Sequence, residues 1–272
     1  MQHTPPEMRT LGIDLASDPA RTGFAVIRWR RDGAVVEAAG VGADDDAILT
    51  RAGACEAMGI DSPFGWPLDF AGFVARFGQP GTAEYDGEPW GPPLRDRLRF
   101  RETDRVVRTI TRRWPLSASS DLIAVPMFRC LRLLAALGVS DRSGDGRVFE
   151  TYPAVALARW GLSDTGYKGR ARRDRLAALA DALRRRCHWL TVPAATAETM
   201  RTRDDAFDAV CAAIIARIAW LGHRASQGGW VDAPDDRQRA AARSEGWIVL
   251  PSGAALDRLY PPPGGATDDQ RG

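Results

Sequence analysis

Two short apolar runs of this chain carry an aspartate where a strand would bury it. Asp14 lies inside LGIDLA (residues 11–16), and Asp61 directly follows Gly59 and Ile60 in GIDSP (59–63). An ionised carboxylate leaves water at acceptable cost only when it is paired, hydrogen-bonded or bound to a metal. Any fold that buries these runs must therefore supply the acids with a partner. Three further acids pose the same demand: Glu150 in RVFETYP (147–153), and Asp205 and Asp208 at the start of the apolar, helical RDDAFDAVCAAIIARIAWL (203–221). Asp205 and Asp208 are three residues apart and share one helix face. If Asp14 and Asp61 end neighbouring strands, all of these acids converge on one point, and such a cluster repels itself without a cation. Each acid also has an ordinary explanation. Asp61 before Ser-Pro suits a turn, Asp204 or Asp205 suits a helix cap, and Glu150 suits a solvent-facing edge. Asp208, deeper in its helix, is the hardest to explain in that way.

The order of elements sets the fold class. LGIDLA, GFAVIRW and AVVEAAG are strand-like runs separated by turn residues, which reads as an antiparallel meander. A helix over 44–58 leads to the strand ending at Asp61. Residues 64–120, rich in Gly and Pro, read as an irregular insertion. Then follow a helix over 121–138, a strand at Glu150, a short helix from Pro153, helices over 170–188 and 203–221, and a last short strand, GWIVLP. Strands mixed with helices predict an α/β layer fold with a mixed sheet. The expected organisation is a tail over 1–8, one domain over 9–252, and a second tail over 253–272.

Composition narrows the class. With 272 residues, 44% hydrophobic and 26% charged, the chain has the makeup of a globular protein with a sizeable core. No wholly apolar run approaches the ~20 residues of a membrane span, and MQHTPPEMRT lacks the apolar segment of a secretory signal. Cys55, Cys130, Cys187 and Cys211 are scattered without a CxxC pair, which favours a reduced, cytoplasmic setting. Histidine is nearly absent, with only His3, His188 and His223, so a His-based zinc site is not expected. All-carboxylate ligands suit Mg²⁺ or Mn²⁺. Two such ions activate water and stabilise a leaving oxygen, as phosphodiester hydrolysis requires.

Net charge is only +2, yet the cations are lopsided: 36 of the 37 basic residues are arginine, and the exception is Lys168. A codon bias toward arginine is the ordinary reading of this imbalance; the functional one is that Lys168 meets a need for a compact ammonium. Arg95–Arg113 holds eight arginines against Asp96, Glu102 and Asp104, and Lys168–Arg186 holds eight cations against Asp174 and Asp181. Runs of this kind are ordinarily solvated faces, and nucleic-acid contact is the functional alternative. The aromatics Phe64, Trp66, Trp90 and Trp114 offer either core packing or base stacking.

The segments GIDLA…GFAV, GIDSPFGWP, ETDR…R, FETYPA, YKG, RDDAFDAVCAA and GWIVLP, in that order, resemble a family of predicted ribonuclease H-like nucleases of otherwise unknown function. The likeness spans about residues 10–251. DDAFDA also resembles the last-helix motif of the Holliday-junction resolvase branch of that superfamily. The resemblance implies a mixed five-stranded sheet with antiparallel first strands, helices on both faces, and metal-dependent cleavage of nucleic acid. It implies Asp14, Asp61, Asp205 and Asp208 as metal ligands, and Glu150 as a ligand or substrate contact in an E-x-Y-P pattern that includes Tyr152. Glu102, Asp104, Arg105 and Arg108 would come from the insertion over the site, where an Arg pair clamps phosphate; Arg129 and Lys168 are further phosphate contacts. Two other readings stay open. One is a phosphate-binding enzyme of the actin-like and sugar-kinase type, with Thr22 and Gly23 near phosphate. The other is a non-catalytic module that binds nucleic acid or protein. Geometry discriminates: a metal site needs the oxygens of Asp14, Asp61 and Asp205 or Asp208 within reach of one cation.

Overall fold

The computed structural model describes residues 7–81, 87–163, 165–225 and 228–260. Most of the expected tails, residues 1–6 and 261–272, lies outside the described residues.

The chain opens with three antiparallel strands: β1 (Met8–Asp14), β2 (Gly23–Trp29) and β3 (Ala34–Val41). Helix α1 (Asp45–Gly53), capped by the Asp44 side chain on the Ala47 amide, crosses to β4 (Ala57–Asp61), which lies parallel to β1. The next segment is helical rather than irregular: α2 (Leu68–Phe77), α3 (Pro92–Arg99) and α4 (Glu102–Thr111) precede α5 (Ala124–Ala136). The Gly and Pro residues that hid these helices bound them; Pro92 and Pro93, for example, occupy the first turn of α3.

Beyond α5 come β5 (Val148–Glu150), α6 (Pro153–Arg159), α7 (Arg173–Arg186), β6 (Leu190–Thr191), α8 (Ala194–Thr202) and α9 (Asp204–Arg224). The chain closes with β7 (Val231–Asp232), α10 (Gln238–Glu245), β8 (Leu250–Pro251) and α11 (Ala255–Leu259).

The sheet is mixed and six-stranded, in the order β5-β4-β1-β2-β3-β6. The strand missed in the sequence is β6, only two residues long and parallel to β3. GWIVLP is not a full strand of this sheet: Ile248 makes a single parallel bridge to Glu150, and Leu250–Pro251 pairs with β7 in a separate ribbon. The expected tail from 253 contains α11, whose Ala255, Leu256 and Leu259 are buried in the core.

Strand alternation divides the core. Leu11 and Ile13 of β1, with Met58 and Ile60 of β4, pack with Ile48 of α1 and Cys130, Leu133 and Leu134 of α5. The opposite face of the sheet carries α9, with α6, α7 and α8 against it. Helix α9 has 21 residues and is long and apolar enough to cross a membrane, but 83% of its apolar window is buried within this fold. It is seated unusually close to the sheet. A Cβ on Gly12 would meet the Ala209 carbonyl at 2.0 Å, one on Gly59 the Ala212 carbonyl at 2.5 Å, and one on Gly23 the Asp205 carbonyl at 2.0 Å. Only glycine permits this approach. Inside the seam, the Trp29 indole donates to Thr10 Oγ1, which donates to the Ala213 carbonyl, both at 2.9 Å.

Candidate metal centre

β1 and β4 end alike. Their Gly-Ile-Asp triplets pair residue for residue, with Gly12 beside Gly59, Ile13 beside Ile60 and Asp14 beside Asp61. Side chains alternate across a strand, so both aspartates point to the face that the glycines leave open for α9. There the helix presents Asp208, fully buried. One oxygen from each of Asp14, Asp61 and Asp208 lies within 4.8 Å of the others. Tyr167 donates its hydroxyl to Asp208 Oδ1 at 2.9 Å, and the Lys168 ammonium lies 2.6 Å from Oδ2. Asp14 and Asp61 receive no side-chain hydrogen bond among the described residues.

The electrostatics follow from this crowding. Burial pushes Asp14 well above the usual carboxylate range; Asp208, Asp61 and Asp205 add to the rise, and Lys168 offsets part of it. Asp61 is pushed up to about 7, again chiefly by burial and with Lys168 opposing. Asp208 is raised by burial against the pull of Lys168 and Tyr167. The surrounding protein disfavours charge on Lys168, although its side chain still reaches solvent, but Asp208, Asp14 and Asp61 outweigh this and hold the ammonium firmly protonated.

Asp205 stays outside the trio. Its carboxylate pairs with Arg203 at 3.2 Å, although its charge is still felt at Asp14. Glu150 also stands apart, for a reason of register. It pairs with Ile60, one residue short of Asp61, so the pleat turns it to the opposite face. There Arg101 grips it with two bonds, Nη1 to Oε2 at 2.9 Å and Nη2 to Oε1 at 2.8 Å, while the Phe64 amide donates to Oε2 at 3.0 Å. Arg101 Nη2 also donates to Asp104 Oδ1 at 3.0 Å, and Nη1 to the Glu245 carbonyl at 3.0 Å. Glu150 and Asp104 are therefore the buried acid partners of one guanidinium. They stand apart from the trio, although Arg101, Asp104 and Glu150 all line the same cleft.

The other insertion residues are occupied locally. Glu102 pairs with Arg105 at 3.2 Å, and Arg105 Nη2 donates to the Phe100 carbonyl at 3.3 Å. Arg108 donates to the Arg112 carbonyl at 2.5 Å and lies over the Trp114 ring. None of Glu102, Arg105 or Arg108 lines the cleft. Arg129 is a structural residue. Its guanidinium bonds Asp45 at 2.6 Å, the Ala16 carbonyl at 2.8 Å, Thr22 Oγ1 at 2.6 Å and the Ala43 carbonyl at 3.0 Å. Those bonds also hold Thr22, and Gly23 faces the Asp205 backbone. The aromatics settle mostly as packing: Phe64 is fully buried and Trp114 stacks on Phe100 at 3.9 Å, whereas Trp90 is exposed.

Asp14 and Asp61 open into a cleft of about 370 Å³, with Asp208 buried behind them. Its walls include Ser62, Thr151 and Tyr152 next to β4 and β5, Lys168 from the loop before α7, and Pro115, Leu116 and Ile123 before α5. Leu116, among these, is 60% exposed, so an apolar side chain stands at the opening. Two other cavities, of about 390 and 580 Å³, lie away from the trio. The volume of the acidic cleft suits a ligand of about nucleotide size.

Sequence reasoning missed Arg101, Tyr167 and Glu245. Arg101 carried no mark in a chain where arginine is the default cation. Tyr167 adjoins Lys168 in the YKG motif and was the easiest to suspect. Glu245 accepts from the Leu68 and Glu102 amides, both at 2.8 Å, and so caps α2 and α4 with one carboxylate.

A family model described as a protein of unknown function (DUF429) matches residues 12–234. No curated protein and no solved structure matches the chain. The chain belongs to the DUF429 family.

Proposed function

We propose that this DUF429 protein is a divalent-metal-dependent hydrolase of phosphodiesters, a nuclease built on a ribonuclease H-like fold. Asp14, Asp61 and Asp208 would hold Mg²⁺ or Mn²⁺. The observation that carries this reading is the trio itself: three carboxylates from two strand ends and a helix within 4.8 Å of one another, with a single ammonium against them. Uncompensated negative charge on this scale suits a hard cation with oxygen ligands. The sheet order β5-β4-β1-β2-β3, with an antiparallel start and acids ending β1 and β4, supports the fold assignment.

When bound, the ion would lower the pKa of a coordinated water and neutralise charge on the phosphoryl group. The chain's own part is to fix the geometry. Gly12 and Gly59 bring α9 close enough for Asp208 to meet the strand ends, and Tyr167 orients that carboxylate. Lys168, 57% exposed at the cleft, presents positive charge to an anionic substrate. Pro115, Leu116 and Ile123 supply apolar surface for a sugar or base.

The test is thermal melting of the full chain in EDTA, Mg²⁺ and Mn²⁺, run beside Asp14→Asn, with hydrolysis of single- and double-stranded DNA and RNA. A cation that binds only the folded state adds about 2.7 kcal/mol at a hundred times its Kd. The expected result is a Mn²⁺-dependent rise in wild type, absent in Asp14→Asn, with metal-dependent cleavage of at least one nucleic acid. No shift at millimolar metal together with no cleavage overturns the reading.

A further inference from the structure

We propose that Lys168 is a resident cation of this centre, standing where a second divalent ion would otherwise sit, so that the trio takes one divalent ion rather than two. The inference rests on the metal reading above and adds the number of ions and the role of the lysine.

The three carboxylates are not equivalent. Asp208 Oδ1 accepts from the Tyr167 hydroxyl, and Oδ2 makes no hydrogen bond but is ion-paired with the Lys168 ammonium at 2.6 Å. Asp14 and Asp61 receive no side-chain hydrogen bond among the described residues, so the strand ends keep their lone pairs for an ion. Charge leads to the same count. Once an ion displaces the protons that burial favours on these acids, three carboxylates against one ammonium leave two negative charges, which one divalent ion cancels. A second divalent ion would leave excess positive charge in a partly buried site, which is costly. Asp205 does not change the balance, because Arg203 already pairs with it.

Lys168 is held in place from both sides. The preceding residue, Tyr167, bonds Asp208 and meets the Phe207 ring edge-on at 5.8 Å. The following residue, Gly169, donates its amide to Asp204 Oδ2 at 2.8 Å. The loop is thus strapped to the first turns of α9 on each side of the ammonium. The residue type fits as well. An ammonium is a compact point charge that fits among converging carboxylates, where a guanidinium would spread its charge over a wide planar fork. This is the single lysine in a chain with 36 arginines.

The experiment counts ions directly. Mn²⁺ is titrated into the full chain, and bound metal is measured by calorimetry and by loss of the free-ion EPR signal, for wild type and for Lys168→Met. Melting in EDTA checks that the variant is folded; Lys168→Gln, closer in polarity, replaces it if it is not. The expected counts are one ion per chain for wild type and two for the variant. Any other pair of counts overturns the proposal. If either protein binds an ion, the metal reading survives that failure; if neither binds, the metal reading falls with it.

Discussion

The cleft holds two buried acidic clusters that are neutralised in opposite ways. Around Arg101, two carboxylates share a guanidinium that gives each of them two or more bonds, and backbone donors complete the shell. At the strand ends, three carboxylates face one ammonium, and two of them receive no side-chain hydrogen bond among the described residues. A saturated cluster fastens the insertion to the sheet, since Arg101 and Asp104 belong to α4 and its cap while Glu150 ends β5. An unsaturated one holds charge in reserve for a ligand. Burial alone does not separate the two, because burial raises the pKa of both Glu150 and Asp208. The count of donors does.

The comparison breaks most visibly at Arg101. Arg101→Ala strands Glu150 and Asp104 without their cation, and loss of one partner of a buried ion pair costs about 3–5 kcal/mol. Urea unfolding is expected to show a loss of that size; a loss below about 1 kcal/mol would mean the cluster is not a fastening. Asp14→Asn is expected to act in the reverse sense. It should cut cleavage by about 10² or more, as removal of a single group that stabilises developing charge does, while unfolding in EDTA shows equal or greater stability.

Gly12→Ala tests the seam between the two faces. Its methyl would meet the Ala209 carbonyl, so α9 must shift, at about 1–3 kcal/mol. Mn²⁺ affinity should fall by more than stability does, because Asp208 moves with the helix; calorimetry on the folded variant measures it.

A further test is the dependence on pH. Burial pushes Asp61 up to about 7 in the folded chain, from the ordinary 3.8 of an exposed carboxyl in the unfolded one. The folded state therefore keeps a proton that the unfolded state releases, and this residue's contribution to stability falls as pH rises from about 4 to 7. Asp61→Asn removes that loss. In EDTA the melting point of the variant minus that of wild type should grow across this window and level off above it; a constant difference contradicts the shift.

How much of this could be read in the sequence depended on pattern length. Asp14, Asp61 and Asp208 stood out because each interrupts a run long enough to show its period. Glu150 was misplaced because β5 has three residues, too few to show parity, and only pairing with Ile60 reveals its face. Asp205 and Asp208 are indistinguishable by spacing; the approach of α9 to Gly12 and Gly59 and the Arg203 pair separate them. The helices of the insertion were masked by the Gly and Pro residues that delimit them, and α11, with five residues, is shorter than any periodicity can resolve.

The glycine seam also bears on how fast the centre forms and is lost. It joins β1 to α9 through a bond between residues 203 apart in the chain, from Thr10 to the Ala213 carbonyl. Contacts of such long range are late and slow to close. Asp208 reaches Asp14 only after that closure, so early collapsed states lack the complete trio. An ion that needs all three carboxylates therefore has little hold on the folding transition state and acts on the finished molecule, slowing its unfolding and leaving its folding rate nearly unchanged.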